Sequence, residues 1–334
     1  MKRCGKNIIT LAFFLLTVFF CGCEQEKETD TFYAMGSYIQ VTIYDVDSTL
    51  LETIKTDIKN VEEKISHRVE NSYIYSLNKE KTATFDTETY NMLYEAVEFC
   101  GASEGFFDIS LLSLTALWDF DSQKSFVPSS EQITEALEKT GYENIYFGEN
   151  NKITLGGGVS IDLGALGKGY ACDKAVQSLR DADVNGIVAV GGSIGVNGTK
   201  PGGEYFFVGI RDPFSDNAAE TFAGIKLKSG FVSTSGSYEK QFESDGVRYH
   251  HIFNTSTGYP VDNELISVSI VCNNGMLSDM LSTACFALGT EKSIPLLEKN
   301  DADAVFVTKN KKIIITSGLK NFISVKEDFE VEYR

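Results

Sequence analysis

Beyond residue 22 the chain has no apolar run of the roughly 20 residues needed to span a bilayer. It also lacks any surplus of positive charge. Its 30 Lys and Arg face 47 Asp and Glu, a formal charge of -17, which argues against nucleic acid or another polyanion as the main partner. No two cysteines form a CxxC pair, which argues against a zinc knuckle. Of the four that follow residue 23, Cys100 and Cys285 stand among apolar neighbours and read as buried thiols. Histidine is scarce, with three in 334 residues. No internal repeat and no Pro/Ser-rich linker divides the chain. A composition that is 23% charged and 12% aromatic excludes wholesale disorder, collagen and coiled coil, and the length suffices for a large core without disulfides.

What is present begins with a targeting signal. Lys2, Arg3 and Lys6 precede the apolar run Ile8 to Phe20, broken by Thr10 and Thr17 and of signal-peptide length. Phe20-Cys21-Gly22-Cys23 then resembles a bacterial lipobox, with Phe20 in place of the usual Leu. Residues 1–22 are expected to be a lipoprotein signal, Cys23 the lipidated residue, and residues 23–30 a polar tether. The alternative is an ordinary secretory signal that leaves Cys23 as a free thiol. Either reading puts the mature chain outside the cytoplasm; the first anchors it to the cell membrane by acyl chains.

Residues 31–334 are expected to form one catalytic domain of α+β class, with mixed sheets and packed helices. Tyr38 to Tyr44 alternates as a strand does. Leu51, Ile54, Ile58, Val61 and Ile65 mark one face of a helix. Tyr90, Leu93, Val97 and Cys100 mark another, with Gly101 placed to end it. Ser130 opens a short helix, and Glu149-Asn150-Asn151 reads as a hairpin turn between Ile145–Phe147 and Lys152–Leu155. After residue 156 glycines crowd between short strands without strict βαβ alternation, which favours α+β over a doubly wound sheet.

Three segments carry candidate chemistry. In Ile161-Asp162-Leu163-Gly164-Ala165-Leu166-Gly167-Lys168-Gly169, an acidic strand end leads through glycines into a helix, where amides and a lysine could meet phosphate. It fits neither a Walker A loop nor a Rossmann fingerprint, and a plain strand-turn-helix joint with a surface lysine is the alternative. His250-His251 precede a Thr-Gly-Tyr-Pro turn. Adjacent histidines cannot form the i, i+4 metal pair of HExxH, so one is either a general base or structural. Asp279 and Thr283 stand one helical turn apart, either as hard oxygen ligands for Mg2+ or as a solvated polar face.

In order and spacing these segments resemble the FAD:protein FMN transferase family (ApbE-type). The resemblance runs from Ala34-Met35-Gly36-Ser37 to Ala287-Leu288-Gly289. It includes Gly105-Phe106-Phe107-Asp108 with Trp118 downstream, Val190-Gly191-Gly192-Ser193, Arg211-Asp212-Pro213 and Ser233-Thr234-Ser235-Gly236. It implies FAD contacts from Met35, Phe106, Phe107, Asp108, Asp162, Lys168 and Ile252. It also implies Mg2+ ligation by the Ala165 carbonyl, Asp279 and Thr283, and His251 as candidate base. Ser66-His67-Arg68 departs from the family's usual Ser-Thr-aromatic, and Ile109-Ser110 from its Pro-Thr.

The reaction so implied is Mg2+-dependent transfer of FMN from FAD to a threonine hydroxyl of an acceptor flavoprotein, an electron-transfer subunit, with release of AMP. The rivals are an FAD pyrophosphatase using water at the same site, and a flavin-binding lipoprotein without turnover.

Overall fold

The computed structural model describes residues 27–44, 47–122 and 126–334, so the expected signal and Cys23 lie outside the described residues. Strand β1 (Glu28–Ala34) forms a hairpin with β2 (Ser37–Ile43). The turn is made by Met35 and Gly36, at φ 55° and 66°. Glu28 to Asp30 were expected in the tether but already pair in the sheet. Asp47 caps α1 (Ser48–Ile65), accepting the amides of Thr49 and Leu50, and the expected apolar stripe is buried. α2 (Tyr73–Glu80) and β3 (Thr82–Thr84) follow. α3 (Thr87–Ala102) runs through Gly101 rather than stopping there; the chain reverses at Glu104 and Gly105, both at positive φ.

Next come α4 (Leu112–Trp118) and α5 (Ser130–Leu137), the latter opened by a Ser129–Gln132 capping box. The expected hairpin is β4 (Ile145–Phe147) with β5 (Lys152–Leu155), turned by Asn150 and Asn151 at φ 56° and 57°. α6 (Gly167–Asp181) leads to β6 (Gly186–Val190) and β7 (Ser193–Asn197). Then follow β8 (Phe206–Arg211), β9 (Thr221–Leu227), β10 (Ser229–Gly236), β11 (Gln241–Ser244), β12 (Val247–His250) and β13 (Leu265–Cys272). The chain closes with α7 (Gly275–Leu288), α8 (Thr290–Lys299), β14 (Asp303–Thr308), β15 (Lys312–Ile315), β16 (Ile323–Val325) and β17 (Glu330–Tyr333).

A nine-stranded sheet, ordered β1-β2-β6-β7-β10-β13-β14-β15-β17, is antiparallel except for the last pair. Its central strands are apolar on both faces. Along β10 and β14, Phe231, Ala304 and Phe306 point into the core shared with α1, α6 and α7. Val232, Val305 and Val307 point the other way, into a second core under the β16-β9-β8 sheet. The result is a helix layer, a large sheet and a small sheet, the α+β class expected from the sequence.

The register gives the large sheet two distinct ends. Ser37, the Gly191-Gly192 turn, Ser193 and Ser233 to Gly236 lie at one, the site end. Ile43, Gly186, Asn197 and Ser229 lie at the other, the far end.

Candidate active site

α6 and α7 cross at the site end with almost no space between them. A Cβ on Gly169 would lie 2.2 Å from the Gly275 carbonyl oxygen, so both positions must be glycine for the backbones to touch. The closeness lets the Gly169 amide, in the first turn of α6, donate to Asp279 Oδ2 at 2.9 Å. Helix-start amides carry partial positive charge and suit a carboxylate. Asp279 is buried, and desolvation raises its carboxyl above the usual range against the lowering effects of Lys168 and the Gly169 amide.

That bond has a second effect. The Gly169 amide would otherwise close the first helical turn on the Ala165 carbonyl, which accepts no hydrogen bond among the described residues. Thr283, one turn after Asp279, shares a 3.2 Å hydrogen bond with Ser235 of β10. Carboxylate, carbonyl and hydroxyl oxygens are therefore gathered by α6, α7 and β10. Among the described residues no three His, Cys, Asp or Glu side chains form a metal-binding group, so any cation here relies on neutral oxygens beside a single carboxylate.

Hydroxyls fix α7 to the sheet. Ser233 bonds Ser193 at 3.0 Å and Ser278 at 2.6 Å, and Ser235 bonds Ser282 at 2.7 Å. Asp173 of α6 accepts the Gly275 and Met276 amides at 2.7 and 2.6 Å, capping the start of α7. These residues hold Asp279 in place, and sequence reading gave none of them a role. For Asp173 a signal did exist: it stands one helical turn after Gly169, on the face that meets α7.

Lys168 stands on the same corner. Its stem passes the Gly191 turn, where a Cβ would meet Ser37 Oγ at 2.9 Å and Lys168 Cδ at 3.0 Å, and its ammonium donates to the Gly164 carbonyl at 3.3 Å. The Met35 methyl packs over Gly167 beside it. His251 is half-buried, its Nδ1 3.3 Å from the Lys240 carbonyl. A carbonyl only accepts, so Nδ1 carries the proton and Nε2 keeps its lone pair. Desolvation, then the charges of Lys240 and Lys168, push the His251 ring down to about 3. The charge of Lys168 thus bears on both Asp279 and His251. His250 is buried on the Val261 carbonyl at 2.9 Å and is structural.

Other expected residues sit differently. Phe107 is 1% exposed and packs edge-on to Phe99, so its side chain supports the site from the core rather than lining it. Asp108 accepts the Ser110 and Tyr142 amides and builds the turn, with burial holding its carboxyl above the usual range. Phe106 is partly exposed under Lys292, and Ile252 is buried at 5% exposure. Asp162 is not at a strand end but in an irregular turn. There it accepts the Thr115 hydroxyl and the Gly164 amide at 2.9 Å each, and meets His67 Nδ1 at 3.4 Å. Burial alone would raise its carboxyl; these partners, His67 foremost, hold it below the usual range. The unusual His67-Arg68 pair continues outward. Arg68 donates to His67 Nε2 at 3.2 Å and pairs with Asp121, which also takes Lys240, the residue whose carbonyl holds His251.

The ApbE family model matches residues 35–306. The chain is 30% identical to the FAD:protein FMN transferase of Klebsiella pneumoniae, covering 85% of this chain and 90% of that one. It is 32% identical to the Treponema pallidum protein of the same name, over 82% and 81% of the two chains. Among solved structures, the ApbE protein of Thermotoga maritima superposes with TM-score 0.82 at 34% identity, over 89% and 99%. The flavin transferase ApbE of Vibrio cholerae does so with TM-score 0.80 at 25% identity, over the same shares. With most of its length matched in sequence and fold, and the crossing of α6 and α7 within the matched span, this chain belongs to the ApbE family.

Proposed function

We propose that this chain is an FAD:protein FMN transferase that moves FMN from FAD to a threonine hydroxyl of an acceptor flavoprotein and releases AMP. The observation that carries the reading is that the Lys168 charge bears on both Asp279 and His251: a cation for phosphate, a buried carboxylate and a neutral imidazole with a lone pair.

Mg2+ fits the oxygen donors there, and Asp279, Thr283 and the Ala165 carbonyl would hold it. When bound it supplies charge neutralisation to the pyrophosphate in phosphoryl transfer. The remaining work falls to side chains. Lys168 offsets phosphate charge on the flavin side. The threonine oxygen attacks the flavin-side phosphorus, the bond to the bridging oxygen breaks, and AMP departs with that electron pair. His251 Nε2 takes the hydroxyl proton. A ring held near 3 is a weak base in the free chain, and the negative pyrophosphate arriving beside it strengthens it.

We further propose that Cys23 carries acyl chains and holds the enzyme on the extracytoplasmic face of the cell membrane, on the strength of the apolar run Ile8 to Phe20 and Gly22-Cys23.

Incubation with FAD, Mg2+ and a threonine-bearing flavoprotein domain tests the activity. FMN on threonine by mass spectrometry is the expected product. Free FMN with AMP would make the chain a pyrophosphatase, and no product a flavin binder.

A further inference from the structure

The far end of the sheet carries a cluster of lysines and exposed rings on this acidic chain. The Lys200 ammonium lies 6.0 Å from the Phe206 ring centre and 5.7 Å from that of Phe207. Lys226 lies 5.8 Å from Phe207, and Lys228 4.9 Å from Tyr205. Phe207 is 57% exposed and Tyr205 37%. Phe322, whose carbonyl accepts the Lys226 amide, is also exposed. None of these three lysines forms an ion pair among the described residues, whereas neighbouring Lys326 is held by Glu220 at 3.2 Å. Glu204, whose carbonyl accepts the Lys200 amide in the adjoining turn, is itself exposed. Phe207 and Lys226 are cross-strand partners on the outer face of the small sheet. Beside them the paired Gly209 and Gly224 leave a shallow depression of about 390 Å³.

The same end receives the start of the chain. Glu28 pairs with Ile43, and the next ring along, Tyr44, stands 5.7 Å from Phe206. Cys23 precedes Glu28 by five residues, so an extended chain places it within about 17 Å of that pair.

Rings at an interface and lysines on lipid phosphates are the chemistry of a membrane-facing surface. Ionic strength screens the remaining acidic surface beyond about 8 Å, so the local sign decides. We propose that the β8–β9 face, with Tyr205, Phe207, Lys200, Lys226 and Lys228, rests on anionic phospholipid headgroups beside the start of the chain. The proposal rests on the reading of Cys23 as the anchor.

The test uses the full chain reconstituted in vesicles of phosphatidylcholine, alone or mixed with phosphatidylglycerol, with bromine on the upper acyl chains. Trp118 is the single tryptophan and fully buried, so the wild-type chain is the blank for Phe207→Trp. Strong quenching of the variant with phosphatidylglycerol and weak quenching without it is the expected result. Each lysine contributes about fivefold to surface partition, so Lys200→Glu with Lys226→Glu and Lys228→Glu should abolish the quenching while the chain still floats with vesicles. Flotation without quenching in either lipid overturns the proposal and leaves the anchor standing. Equal quenching in both lipids refutes the anionic requirement. Failure to float refutes the anchor and the proposal together. If the lysine variants lower FMN transfer to an acceptor and quenching is absent, the face docks protein instead, and the proposal fails.

Discussion

Gly169 and Asp279 reach each other only because no side chain stands between them: a Cβ on Gly169 would lie 2.6 Å from Asp279 Cβ, closer than any real contact. The absent methyl therefore sets both the crossing of two helices and the position of the site's buried carboxylate. Gly169→Ala should cost about 1–3 kcal/mol, as overpacking does, and should lose turnover in the fraction that stays folded. Gly224→Ala, where a Cβ meets nothing within 4 Å, is the control. Thermal melts with AMP release on both variants decide; equal behaviour of the two would contradict the packing argument.

Asp279→Ala should abolish Mg2+-dependent turnover while FAD binding survives in weakened form, since flavin and adenine contacts remain. Losing an outer partner of a metal ligand typically costs about 10–100-fold in affinity, and losing the charged ligand should cost more. The measurement is AMP release titrated with Mg2+, beside FAD binding by fluorescence. Near wild-type turnover at limiting Mg2+ would remove Asp279 from the metal site.

Asp173→Ala frees two amides at the start of α7 and should lower stability by about 1–2 kcal/mol, as a lost cap does. It touches none of the reacting groups. Its effect on activity should appear as a higher Mg2+ requirement, with the rate recovering at saturating Mg2+. A fall in saturated rate with an unchanged requirement would argue for a direct role.

His251→Ala should lower turnover by about 10²–10⁴-fold, the usual loss for a general base, with little change in FAD affinity. Because desolvation and the nearby lysines hold the free ring near 3, His251 is neutral throughout pH 6–9. The profile of kcat/KM, which reports the free enzyme, should show no acid limb from this residue in that window. A limb in the wild type near pH 6.5 that vanishes in His251→Ala would contradict the environment described.

Asp121 is held down to about 2, burial opposing and Lys240 and Arg68 prevailing. Its folded value is depressed, so the stability it contributes is complete above the unfolded carboxylate range near 4 and disappears as pH falls through about 2. Asp121→Asn should flatten that part of the acid-unfolding curve. An unchanged curve between pH 4 and 2 would show that the bridge contributes nothing.

Much of this was legible from local pattern. The stripe of α1 and the Asn150-Asn151 hairpin depend on neighbours in sequence, and both formed as expected. β1 was hidden because it is an edge strand: Thr29, Thr31 and Tyr33 face solvent, so Glu-Thr-Asp-Thr reads as polar tether. Gly101 looked like a stop but stays helical, since a helix tolerates one glycine and the reversal waits for Gly105 at positive φ. The chemistry of Asp279, Lys168 and His251 was visible as residue types. What holds them was not, because the Ser193–Ser233–Ser278 hydroxyls and the Asp173 cap join residues 40 to 103 positions apart.

β2 runs six residue steps from Ser37, beside the Met35 turn, to Ile43, a rise of about 20 Å at roughly 3.3 Å per residue. A rod of that length, rigid because it is paired on both sides, has the proposed reactive corner near one end and the pairing of Glu28 with Ile43 at the other. With Cys23 as the anchor proposed above, it would set how far that corner stands from the point of attachment. An acceptor threonine would then have to lie about 20 Å along the molecule from that point to meet Lys168 and His251. Selection among acceptors would begin with position, before any side chain of the acceptor is read.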